Sequence, residues 1–317
     1  MRGVEIQAFS DEHVDAAAGL LKARHAAHLD AEPLLPANVD YRAEVEALWK
    51  GEAVSGVVAT RGGEVVGYLL GVRRDDAIWG PNIWVELAGH AAIEPEIVRD
   101  LYGAASADWV EAGRHRHYAL VPATDKPLVD AWFRLSFGAQ QAMAIQETPE
   151  APDSLPSEID VRRAGPADLE AAMTLGGVLP EHQEQSPVFA GYLTQTDEEE
   201  RAEVAEELAD PEVATFIAER EGRPLGLLII APADKSPTHA GLARPERAAL
   251  LGFAATIPEA RGSGAGLALT AAGLVWAREN GHPIVVVDWR ETNLLASRFW
   301  PARGFRRTFL RLYRSIP

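Results

Sequence analysis

Arg261-Gly262-Ser263-Gly264-Ala265-Gly266 is the stretch of sequence that decides the fold. It follows an apolar run, residues 248–257, and precedes a segment with the apolar spacing of a helix, residues 267–278. This order predicts a strand, a tight glycine loop and a helix. Because glycines allow close backbone approach and the first N–H groups of a helix lack acceptors, phosphate oxygens suit such a loop. A glycine-rich turn that holds no ligand is the alternative.

The length and the charge of the chain narrow its class. Its 317 residues predict two domains, and 47% hydrophobic with 24% charged residues is typical of a soluble globular protein. With a formal net charge of −17, the chain lacks the positive charge that is typical of nucleic-acid-binding proteins. The same charge disfavours binding to an anionic membrane surface. An anionic ligand would therefore have to be held by local geometry.

Cysteine is absent, which excludes disulfides, thiolate metal sites and cysteine nucleophiles. The N-terminal residues show no signal-peptide pattern, and no apolar run reaches the roughly 18 residues of a membrane span. We therefore expect a cytoplasmic protein that binds neither nucleic acid nor membrane.

Two domains are predicted from a proline-rich stretch and an internal repeat. Residues 147–158 carry several prolines and acidic residues and predict an exposed linker, which divides the chain into domains 1–147 and 158–317. Three blocks then align in the same order, 4–17 with 159–172, 59–70 with 218–229, and the late apolar strand 118–121 with 284–287. Each half predicts the same mixed α/β sheet, closed by a strand of its own.

The glycine loop has no counterpart in the first half. The corresponding place holds Glu94 and Glu96, whose carboxylates would repel a phosphate. Ligand binding is therefore expected in the second half alone.

Two motifs in the second half resemble those of one family. Pro258-Glu-Ala-Arg-Gly-Ser-Gly-Ala-Gly266 looks like the acetyl-CoA loop of the GNAT superfamily of N-acetyltransferases, and Asn293-Leu-Leu-Ala-Ser-Arg-Phe-Trp-Pro-Ala-Arg-Gly-Phe305 resembles its second signature. The resemblance implies two tandem GNAT-like acyl-CoA N-acyltransferase domains with a degenerate first copy. It also implies acetyl-CoA as co-substrate and no metal.

The resemblance assigns cofactor-binding roles by position. Strand residues 254–256 would offer backbone groups to the pantetheine arm, the loop and helix start would wrap the pyrophosphate with Arg261 beside it, and Asn293 and Ser297 would face the pantetheine. The assigned residues are Ala254, Ala255, Thr256, Arg261, Gly262, Ser263, Gly264, Ala265, Gly266, Leu267, Asn293 and Ser297.

The catalytic residues are less well marked. Asp288 stands where some members of the family have a catalytic glutamate, and it would be the general base; capping of the following turn is the alternative. Trp300 replaces the family's proton-donating tyrosine, and its indole cannot release a proton at useful pH. A packing role for Trp300 is the alternative, and Tyr313, Tyr192 and His182 are other candidate acids.

The sequence thus predicts an acetyl-CoA-dependent N-acetyltransferase that acts by direct attack of a primary amine, on a small molecule or a peptide. A non-catalytic acyl-CoA-binding or scaffold protein is the alternative. The identity of the acceptor and the formation of a homodimer are left open.

Overall fold

The computed structural model describes residues 3–150, 158–191 and 196–317. Of the predicted linker, residues 151–157 lie outside the described residues, as does Tyr192. By contacts the chain divides into two compact units. The first unit comprises Met1–Met143, Gly241–Ala243 and Arg307–Pro317, and the second comprises Ala144–Ala240 and Arg244–Arg306.

Strands and helices alternate along the chain and are numbered in chain order. The strands are β1 (Glu5–Ala8), β2 (Val54–Arg61), β3 (Glu64–Asp76), β4 (Gly80–Val85), β5 (His90–Ala92), β6 (Arg116–Pro122), β7 (Gly138–Glu147), β8 (Asp160–Arg163), β9 (Ala214–Arg220), β10 (Arg223–Pro232), β11 (Ala248–Thr256), β12 (Ile284–Arg290) and β13 (Arg306–Ser315). The helices are α1 (Val14–Ala31), α2 (Tyr41–Trp49), α3 (Pro95–Glu111), α4 (Lys126–Phe133), α5 (Leu169–Gly176), α6 (Val178–Glu184), α7 (Asp197–Ala209), α8 (Ala265–Glu279) and α9 (Ala296–Ala302).

The first unit is built on a mixed sheet. Its strands pair in the order β1, β2, β3, β4, β6 and β13, with β5 also beside β3. The pairing of β4 with β6 is parallel and the other pairings are antiparallel. Its core includes Leu21 from α1, Tyr68 from β3 and Phe309 from β13, all fully buried.

The second unit repeats this arrangement. Strands β8, β9, β10 and β11 pair antiparallel in that order, and β12 joins β11 in parallel. Both units carry a hairpin within the aligned blocks 59–70 and 218–229, and its turn residues Gly62, Gly63, Glu221 and Gly222 have φ between 52° and 85°. The predicted mixed α/β architecture is confirmed.

The prediction that each half closes its sheet with a strand of its own is wrong for β13. Strand β13, from the second half of the sequence, pairs antiparallel with β6 from Ser315 opposite Arg116 to Phe309 opposite Pro122. The end of β7 groups instead with the second unit, where the Thr148 amide donates to the Pro283 carbonyl at 2.9 Å. The ranges 1–147 and 158–317 stay a prediction about the repeat in the sequence.

Among the described residues, every helix is too short or too polar to serve as a membrane span.

Candidate active site

Strands β11 and β12 separate part-way along their length. Their parallel pairing ends where Leu251 lies opposite Val287. On the other edge of β11, Ile230 pairs with Leu251 and Ile229 with Phe253, so Gly252 is the extra residue of a β-bulge that turns the strand. Residues 253–256 therefore leave the edge of β11 that faces away from β10 open to an added strand.

The glycine loop follows directly. It joins a 3₁₀ turn, Pro258–Ala260, to the start of α8 at Ala265. Gly262 and Gly264 have φ of 80° and 93°, in the left-handed region that glycine adopts without steric cost. The first amides of α8 have no acceptor within the helix, and their partial positive charge favours an anion. The Ser263 hydroxyl accepts from the Ala265 amide at 3.4 Å and so shapes the loop itself.

A cavity of about 540 Å³ lies between these two features. Its size suits a small-molecule or cofactor site. It is lined by Val178, Leu179, His182, Ala254, Ala255, Thr256, Ala260, Arg261, Gly262, Gly264, Gly266, Leu267, Leu269, Thr270, Asn293, Leu295, Ala296, Phe299, Trp300 and Arg303. The cavity thus brings together most of the cofactor-binding residues predicted from the sequence; Ser263, Ala265, Ser297 and Asp288 are not among the lining residues.

Asn293 is 3% exposed and its side chain is partly used by the protein. Its Oδ1 accepts from the amides of Leu295 and Ala296, at 3.1 and 3.2 Å, and so caps the start of α9. A bond from Asn293 to a ligand would therefore come from Nδ2. Ser297 lies one turn further, where its amide donates to the Asn293 carbonyl at 2.9 Å.

Trp300 both lines the cavity and packs inside the unit. Its ring is 6% exposed and meets Phe305 edge to face, with centroids 5.4 Å apart. In the first unit Trp132 and Phe137 form the same pair at 4.8 Å. The repeated geometry supports the packing alternative for Trp300.

Asp288 lies on β12 just past the last parallel pair. Its carboxylate is 26% exposed, and Oδ2 is 3.5 Å from Nε2 of His239, whose side chain is 1% exposed. The structure therefore places Asp288 where the strands separate, backed by a buried imidazole.

Arg303 and Phe299 are cavity residues that the sequence reasoning missed. The Arg303 guanidinium lies 5.7 Å from the centroid of the Phe299 ring. A side chain at Gly266 would meet the same ring at 3.7 Å. Helical spacing could have revealed Arg303, because it follows Trp300 by three residues and so shares its face.

In the first unit, side chains of the protein occupy the place where β4 and β6 separate. Parallel pairing of β4 with β6 ends at Val85 opposite Ala119. Beyond it, the Arg24 guanidinium donates to the Leu87 and His90 carbonyls. His90 Nε2 lies 3.0 Å from the Leu120 carbonyl, and burial lowers the pKa of His90 to about 3, so it donates as a neutral ring. Backbone groups that an added strand would need are satisfied by the protein.

Among the described residues, no group of three or more histidine, aspartate or glutamate side chains could hold a metal ion.

Comparisons with known proteins agree with the fold and the motifs. Residues 179–305 match the acetyltransferase (GNAT) family. A mycothiol acetyltransferase from Thermomonospora curvata is 28% identical over 193 residues, which is 60% of this chain and 59% of that protein. The match therefore spans less than two thirds of the relative's length.

Two solved structures share the fold over nearly the whole chain. A GCN5-related N-acetyltransferase from Sphaerobacter thermophilus superposes with a TM-score of 0.60 at 15% identity, covering 98% of this chain and 95% of that one. A tandem GNAT protein from the clavulanic acid biosynthesis pathway gives 0.51 at 16% identity, covering 99% and 98%. Residues 179–305 are therefore similar in sequence to GNAT acetyltransferases, and the whole chain has the fold seen in tandem GNAT proteins.

Proposed function

We propose that this protein is an acetyl-CoA-dependent N-acetyltransferase whose site lies in the second unit. The observation that carries the proposal is the continuous path from the open edge of β11 to the start of α8. Acetyl-CoA has an extended pantetheine arm with amide groups, and the open edge of β11 can bind this arm as an added strand. Acetyl-CoA also has a pyrophosphate, and the glycine loop and the first amides of α8 can bind its oxygens.

The charges along the cavity agree with an anionic ligand. The chain carries a net charge of −17, and many of its arginines are paired with carboxylates. Arg261 and Arg303 both line the cavity, and neither forms an ion pair within the described part of the chain. Two cations left for a ligand in an acidic protein favour binding of phosphate groups.

The reaction is direct transfer. The acceptor's neutral amine attacks the thioester carbonyl, the new C–N bond forms as the C–S bond breaks, and the amine proton must leave. Asp288 is the proposed acceptor of that proton, directly or through a water. Most of the rate would come from positioning of the two substrates and from backbone donors near the developing oxyanion.

The departing thiolate lacks the tyrosine that the family resemblance led us to expect. Of the alternative acids, Tyr313 belongs to the first unit, where its ring is 5.1 Å from that of Tyr118. His182 on α6 lines the cavity. We therefore propose that the thiolate either leaves unprotonated or takes a proton from His182.

A second candidate function is favoured by Trp300, which is packed like its counterpart in the first unit. It is an acyl-CoA-binding protein without turnover. A thiol-release assay with acetyl-CoA and a panel of amines separates the two candidates. Release of free CoA that depends on an amine is expected; acetyl-CoA binding without release on any amine would favour the second candidate.

The acceptor is proposed to be a primary amine on a small molecule or peptide. The acidic surface, including the glutamates of α7, attracts a cationic amine by steering. The panel should therefore contain polyamines, amino sugars and peptide amines beside neutral controls.

Replacing Asp288 with asparagine is expected to lower kcat by roughly 100-fold or more, because asparagine cannot take the amine proton. The Kd for acetyl-CoA should change less than about twofold, since Asp288 does not line the cavity. Asp197→Asn, on the exposed start of α7, is the matched control and should leave both quantities unchanged. Unaltered kcat in Asp288→Asn would make Asp288 a structural residue.

One acetyl-CoA is expected to bind per chain, because Arg24 and His90 fill the corresponding place in the first unit. Isothermal titration calorimetry gives the stoichiometry directly. A value of two would show that the first unit also binds the cofactor.

A further inference from the structure

The imidazole behind Asp288 is a buried polar group that the cofactor path does not use. His239 lies in the connection between β10 and β11, after the 3₁₀ turn Ala233–Lys235. Its side chain is 1% exposed. Neither ring nitrogen has a hydrogen-bond partner among the described residues. A buried polar group without a hydrogen-bond partner destabilises the folded protein, so such a group in a native structure often has a functional role.

The geometry supplies one. Nε2 of His239 is 3.5 Å from Oδ2 of Asp288, which is longer than a hydrogen bond but within reach of a small side-chain rotation. Hydrogen bonds at catalytic groups are often long in a free enzyme and tighten when substrate binds. The carboxylate is partly exposed and the imidazole is not, so a substrate can reach Asp288 while His239 stays behind it.

The position of Asp288 on β12 determines the direction of its carboxylate. Asp288 follows Val287, the last residue of the parallel pairing with β11, and its neighbours Val287 and Trp289 are buried. Side chains alternate between the faces of a strand, so the Asp288 carboxylate points away from those two buried side chains. A partner at Oδ2 would fix the remaining rotation of the carboxylate.

We propose that His239 is a positioning residue for Asp288: it holds the carboxylate in the orientation that accepts the proton of the acceptor amine. This inference rests on the proposed function. His239 takes no part in the bond changes, in which the amine proton passes to Asp288.

The test compares His239→Phe, which keeps an aromatic ring and removes the donor, with His239→Gln, which keeps an N–H donor. We expect His239→Phe to lower kcat by roughly 10- to 100-fold with the KM for acetyl-CoA within about twofold, and His239→Gln to recover a large part of kcat. In the double variant with Asp288→Asn, kcat should be no lower than in Asp288→Asn alone, because the two residues act as one unit.

Several outcomes would overturn the inference. Wild-type kcat in both His239 variants would do so, as would independent, multiplying losses in the double variant. If His239→Phe does not fold, the comparison of His239→Gln with wild type and the histidine ring ¹⁵N signals of the wild type decide. The signal of His239 is the one that is missing from the spectrum of His239→Gln. That signal should shift in Asp288→Asn, and an unchanged chemical shift contradicts the proposal. Absence of amine-dependent turnover in the wild type would instead remove the proposed function, and the inference with it.

Discussion

Acetyl-CoA binding is expected to weaken by at least about 100-fold, or about 2.7 kcal/mol, when Gly264 is replaced with glutamate. Gly264 has φ of 93°, and an L-residue in this region costs about 1–2 kcal/mol. The carboxylate would also lie at the start of α8, where it competes with the pyrophosphate for the helix amides and repels it. Calorimetry or a fluorescent CoA displacement assay measures the loss.

A matched control exists at the other end of the same helix. Gly281 follows α8, has φ of 79° and has open space around an added Cβ. Gly281→Glu therefore introduces the same charge and comparable backbone strain at an exposed site that does not line the cavity. Its Kd for acetyl-CoA should equal that of the wild type. Equal affinities in both variants would show that the glycine loop binds nothing.

The replacement of Phe309 with alanine is expected to destabilise the first unit by about 3–5 kcal/mol. Phe309 comes from β13, is fully buried, and meets the His28 ring of α1 edge to face at 4.7 Å. Removal of the ring leaves a cavity in the core that also holds Leu21 and Tyr68. Hydrogen exchange resolved along the chain should show lost protection in α1, β2 and β3.

Phe305→Ala is the reciprocal control for this measurement. Phe305 is four residues earlier, 2% exposed, and packs against Trp300 in the second unit. Its loss should reduce protection in α9 and β12 instead. If Phe309→Ala affected the second unit and spared the first, the assignment of β13 to the first unit would be wrong.

Much of the fold was predictable because its signals are local. The glycine loop is recognisable in the sequence because its glycines, among them Gly262 and Gly264, permit a positive φ. The apolar runs on either side of the loop predict β11 and α8. The hairpins carry glycine turns, and the aromatic pairs Trp132–Phe133 and Phe299–Trp300 mark the last helix of each half. Two motifs at a fixed separation then favoured a cofactor site, and most of the loop and strand residues assigned to it line one cavity.

The remaining features depend on contacts between residues distant in sequence. Strands β7 and β13 are both ten residues long and largely buried, so no local pattern predicts which of them pairs with β6. From the sequence, Arg24 would be predicted to be an exposed arginine on a helix, because its hydrogen-bond partners lie more than 60 residues away in the chain. His239 and Asp288 are likewise brought together by the sheet, with no spacing that would connect them.

The position of β13 has a consequence for biosynthesis. During translation the ribosome releases the first 143 residues long before residues 306–315. Until then β6 has an unpaired edge, which is a surface prone to association with other chains. The half that is synthesised first is thus completed last, and an N-terminal fragment cut at the middle of the chain should be aggregation-prone, whereas an ordinary two-domain protein would yield a stable piece.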